Sequence, residues 1–199
     1  MASGITALTE LYGRIMPELP GISRLELAQC VLDVVRDFCT VTECWLVDLT
    51  QNLVADQAEY TLAPTQTEAD ISRIESVVIG DDTYALDVDL YEFDGVNKLT
   101  LDDSVTPVAA DTDGLVTSVI LVPKLNATAW DTGLMNRWAD AIVYGVKARL
   151  MDNDKESWGN PRRAQTFKGE YLVKVSLAKG EVYRRFKTGS LTVTTRSWL

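Results

Sequence analysis

At 199 residues, 46% of them hydrophobic, the chain is long enough for one well-filled core or for two small ones sharing an interface. There is no histidine, which excludes Ser-His-Asp and Cys-His nucleophile pairs and His-liganded zinc, leaving carboxylate or lysine chemistry open. The net charge of −10 conceals a division: 13 Lys or Arg stand against 6 Asp or Glu from Thr132 onward, and 6 against 23 before it.

Residues 5–15 suit a short helix, and Pro17, Pro20 and Gly21 separate it from a longer one. The spacing predicts that longer helix over 23–39. Ser23-Arg24-Leu25-Glu26 is a capping box, and Leu25, Ala28, Leu32, Val35 and Cys39 recur at steps of three and four along one stripe. Cys30 and Cys39 fall inside this pattern as small buried hydrophobes, and no CxxC spacing suggests a metal or redox role.

From 43 to 130 the texture turns to β. Strands are expected at 45–49, 59–62, 74–79, 83–88, 99–101 and 116–122, with Gly80-Asp81-Asp82 as a hairpin signal between the third and fourth. Short strands with Asp- and Gly-rich turns point to a small antiparallel sandwich or barrel. The chain then returns to helix. Leu134, Trp138, Ala141, Ile142, Gly145 and Ala148 share one face, and Asp152-Asn153-Asp154 ends it. Asn160 as N-cap and Pro161 at the first helical position start another helix, with an apolar stripe of Phe167, Tyr171, Val175, Ala178 and Val182. Residues 188–199 are rich in Thr and Ser and lack a helical period.

Helices on either side of a β segment, each with an apolar stripe to cover, are expected to pack on one another. The expected fold is α+β: a helical bundle from both chain ends (1–42 and 131–187), an inserted antiparallel β domain (43–130) and an extended C-terminal tail (188–199). No stretch approaches the roughly 18 apolar residues of a membrane span. Met1-Ala2-Ser3-Gly4-Ile5 lacks the features of a secretion signal, so the protein is expected to stay in the cytoplasm where it is made unless another route carries it out.

Asp111-Thr112-Asp113-Gly114 and the acids Asp81, Asp82, Asp87 and Asp89 resemble metal ligands, but the later ligands of a calcium loop are missing and turn chemistry accounts for them. A carboxylate-pair hydrolase acting on glycan would need two acids with separated pKa values, and an acidic chain offers many meaningless pairs. The basic stripe from Arg162 to Lys187 raises a nucleic-acid-binding accessory protein as a further alternative. The acidic whole argues against it, and a solvated or protein-facing helix side is the simpler reading. No catalytic residue, metal site or cofactor is assigned.

The ordered set of features resembles the head-to-tail adaptor (connector) proteins of tailed bacteriophages, especially those of short-tailed phages. It comprises the first helix ending near Phe38, Trp45 and its strand, and Glu59-Tyr60-Thr61-Leu62-Ala63-Pro64. It continues with the strand into Gly80-Asp81-Asp82, Val119-Ile120-Leu121-Val122-Pro123, Trp138-Ala139-Asp140-Ala141-Ile142 and the Asn160-Pro161 helix, covering about residues 4–187. The resemblance implies a non-enzymatic virion part located at the neck: a homo-oligomeric ring, usually a dodecamer, bound to the portal protein. Such a ring extends the channel for double-stranded DNA and offers the tail nozzle a platform. It also implies a C-terminal extension reaching the portal, here Thr188, Leu191, Val193, Arg196, Trp198 and Leu199. A closed ring needs two unlike faces. Arg162, Arg163, Lys174, Arg184 and Arg185 are the candidate ring contacts, opposite an acidic β segment with 18 Asp or Glu against 3 Lys or Arg between Glu43 and Asp131. Acid lining a channel would let DNA slide, since sustained phosphate binding needs cations.

Overall fold

The computed structural model describes residues 4–80 and 85–187. Helix α2 (Arg24–Thr42) begins with the Ser23 half of the capping box, its side chain accepting the Glu26 N–H at 3.1 Å. It ends where Glu43 turns left-handed (φ 55°) and its N–H bonds the Cys39 carbonyl, a single-bond αL cap. Its buried line is Leu27, Val31, Val34, Val35 and Phe38. Leu25, placed on the expected stripe, is 83% exposed. It lies about 200° around the helix from Leu27, so both cannot face one core, and the longer Leu27 series prevails.

The N-terminal segment is not one helix. Strand β1 (Ile5–Ala7) leads into a 3-10 turn, the single-turn helix α1 (Tyr12–Ile15) and a second 3-10 turn. The strand pairs antiparallel with β8 (Ala129–Asp131), so residues 4–11 join the chain just where it enters α3 (Thr132–Met151). The Asp131 side chain caps α3 by accepting the Leu134 N–H at 2.9 Å. Helix α4 (Pro161–Lys187) starts as expected, the Asn160 side chain accepting the Arg163 N–H.

Among the described residues the β strands form three antiparallel sheets, two of three strands and one of two. β7 (Asp111–Pro123) is central in one, flanked by β2 (Leu46–Leu53) and β4 (Ala69–Ile79). β6 (Lys98–Leu101) is central in another, between β3 (Glu59–Thr61) and β5 (Tyr91–Phe93). The third is the β1–β8 ribbon. The turn of the hairpin expected across Gly80 falls on residues 81–84, outside the described residues. β4 pairs with β7 from Ala69↔Pro123 to Ile79↔Leu115, and of the return only the Leu86 N–H to Val77 carbonyl bond (2.7 Å) is seen. Nine of the eleven residues of β4 pair in register with this apolar central strand, with bulges between Ile71 and Arg73 and between Ile74 and Ser76. Helix α2 packs on β7, which explains why Val119-Ile120-Leu121-Val122 is buried without alternation. The helices α2, α3 and α4 pack on one another, and one apolar cluster runs from them through the sheets.

Candidate assembly surface

Three helices can meet closely only where side chains are small. Gly145 of α3 lies there: a Cβ on it would come within 2.7 Å of Val34 Cγ1 on α2 and 3.0 Å of the Tyr171 ring on α4. Phe38 stands beside this point as an aromatic hub, 5.7 Å from the Trp138 ring and 6.3 Å from those of Trp130 and Tyr171. Burial there pushes the Tyr171 hydroxyl up to about 12. Ala164, Val175, Ala178 and Val182 complete the inward face of α4.

Ion pairs link α3 and α4 to each other and to the second 3-10 turn. The Lys147 ammonium, nearly buried on α3, donates to Glu18 at 2.7 Å, and Arg163 donates to the other oxygen of that carboxylate. Both cations also lie 5.5 Å from the centre of the Phe167 ring. The hydrogen bond from Lys147 is the main cause that holds Glu18 below the usual carboxylate range. Arg137 of α3 meets Glu181 of α4 at 2.8 Å.

The five proposed ring-contact cations therefore divide. Arg163 is engaged with Glu18; Lys174 is half-buried and adds to the depression of Asp140, whose main cause is its ion pair with Arg14. Arg185 lines a hollow with Cys44, Trp45, Asp131 and Arg137. Arg162 and Arg184 belong to the far side of α4, where Arg184 Nε donates to the Gly180 carbonyl at 3.1 Å. The portal-contact candidates Thr188, Leu191, Val193, Arg196, Trp198 and Leu199 lie outside the described residues.

Between Arg162 and Arg184 the side of α4 turned away from the core is not wholly polar. Leu172, Val173, Leu177 and Tyr183 are each more than half exposed. Gly169 and Gly180 share that side, and nothing stands within 4 Å of a Cβ built on either. Sequence reasoning missed this surface by fitting α4 to a single stripe. Two mid-helix glycines, plus apolar residues off that stripe, were the available signal.

Among the described residues, the carboxylates whose titration is shifted, Glu18, Asp94, Asp102 and Asp140, are all shifted down, by ion pairs or turn hydrogen bonds. A proton-donating acid requires the opposite shift. Among the described residues, no group of His, Cys, Asp and Glu is arranged to hold a metal ion. No described helix is long and apolar enough to cross a membrane.

A capped helical layer carries, on its outer side, exposed apolar and charged residues. A model of the SU10 adaptor protein family matches residues 6–193, and the chain belongs to that family. It is a phage structural adaptor and a virion component, of a family whose role implies interaction with portal and tail proteins. No curated protein matches the chain.

Proposed function

We propose that this adaptor forms a ring between portal and tail, with a structural role that calls for no substrate or cofactor, and that the ring is a dodecamer of the short-tailed phage type. Residues 1–42 and 131–187 act as one helical body from which the β segment 43–130 is held out, and 188–199 runs to the portal. The ring extends the channel for double-stranded DNA, presents acid toward it, and offers the tail nozzle a platform. Family membership across residues 6–193 carries this reading. The contacts among α2, α3 and α4 and the β1–β8 pairing, which join the two chain ends, support the division of labour. So does the opposition of an acidic first 131 residues to a basic remainder.

Electron microscopy of the chain mixed with portal rings of its own phage tests the reading. A collar of density on the portal, with the channel continuous through it, is expected. Bare portal rings at saturating chain concentration would overturn it.

A further inference from the structure

The proposed ring leaves open which faces of the chain touch, and two unlike surfaces match each other. On α4, Leu172, Val173, Leu177 and Tyr183 form an exposed apolar patch with Arg162 and Lys179 exposed around it. Counted over Pro161–Lys187, α4 carries eight Lys or Arg against two Glu.

The second surface is at one end of the β sheets. There the Asp102 N–H bonds the Leu90 carbonyl (2.9 Å) and the Asp56 N–H bonds the Pro107 carbonyl (2.8 Å), drawing three loops together. Val108, 91% exposed, and Val88, 73% exposed, project among the exposed acids Asp56, Asp89, Asp102 and Asp103. Covering both valines in a contact would remove their apolar surface from water.

Resting on the reading of the chain as a ring component, we infer that the outward face of α4 docks on this acidic, valine-bearing loop end of a second copy. Apolar centres of both surfaces would then be covered while rims of opposite charge meet, the arrangement that steers and registers a contact between copies. Because the surfaces are unlike, the contact is head-to-tail and leaves one of each free for the next copy. The glycines fit the same purpose. Gly169 and Gly180 are 11 residues apart, about three turns, so both lie on the docking side and let another backbone come close. A rival seat for α4 is the apolar hollow lined by Tyr12, Met16, Arg24 and Leu25. Its lining charge is Arg24, of the same sign as the cations of α4, and it offers no acid to meet them.

The test uses two single-cysteine additions, Val173→Cys and Val108→Cys, in the full chain, whose native Cys30, Cys39 and Cys44 are buried. The two variants are mixed on portal rings and treated with a short bismaleimide. A severalfold excess of the mixed 173–108 product over either like-with-like product is expected. Lys179→Glu should reduce that product and Asp89→Lys in the other variant should restore it. If rings form but the mixed product is absent, or Val173→Cys joins Leu25→Cys instead, this contact is overturned while the ring stands. If no ring forms, the ring reading falls and this contact with it.

Discussion

Gly145, Gly169 and Gly180 all lie inside helices, yet their surroundings predict opposite responses to alanine. At Gly145 the added methyl would press on Val34 and Tyr171, and overpacking of that kind costs about 1–3 kcal/mol, more than the ~1 kcal/mol gained in helix propensity. Gly145→Ala is therefore expected to lower the urea midpoint. Gly169→Ala and Gly180→Ala meet nothing and should raise stability by about 0.5–1 kcal/mol each in the isolated chain. Equal midpoints for all three would show that the helices do not approach as described. Glu18 gives a pH prediction. Its folded pKa lies below the ordinary carboxylate value of 4.5, so its contribution is present above that value and is lost as pH falls through the depressed one. The parent should lose stability on acidification below about pH 4.5 more steeply than Glu18→Gln, read from denaturant midpoints across that range. The thiols make a third case. Burial pushes Cys30 up to about 12 and Cys39 well above its usual value, whereas the hydrogen bond from Cys39 draws Cys44 down. Iodoacetamide at about pH 8 should label the folded chain far more slowly than the urea-unfolded one, with Cys44 first.

At the scale of elements, Phe38 links α2 to α3, α4 and β8 through three ring contacts, so it should bear a disproportionate share of the packing. Phe38→Ala and Trp138→Ala are each expected to cost about 3–5 kcal/mol, measured by equilibrium unfolding. Leu25→Ala should stay within about 0.5 kcal/mol, although Leu25 matches the helical period as well as Leu32 does. A cost above about 2 kcal/mol at Leu25 would place it in a core and undo the assignment of the buried stripe. The β elements follow the same logic of partners over local signals. β4 keeps to its ladder up to the turn at Gly80 because β7 offers a longer apolar register, and the bulges beyond Ile71 and Ile74 let it hold that register while twisting.

For the whole molecule, charge is sorted along the chain and function is expected to follow the sorting. Removing residues 188–199 should weaken attachment to portal rings and leave the melting temperature near that of the parent, since those residues carry none of the apolar stripes. A truncated chain that melts far below the parent would show the tail to be part of the core. Association between copies should fall as salt rises, because rims of opposite charge at the surface are screened over about 8–10 Å near physiological ionic strength.

Local chemistry alone determined the capped starts of α2 and α4, the inward stripe of α4, the central apolar strand and the division of charge. Each of these is written in residues a few positions apart, where caps, periodicity and β-branched runs act. The resemblance to phage adaptors was legible for the same reason, as an ordered series of such local features. The pairing of β1 with β8, the outward turn of Leu25, the pairing of β4 with β7 and the exposed apolar side of α4 depended on the tertiary structure. They are set by which distant surfaces compete for one core, and when two patterns are locally equivalent, as at Leu25 and Leu27, only burial against the rest of the chain chooses between them.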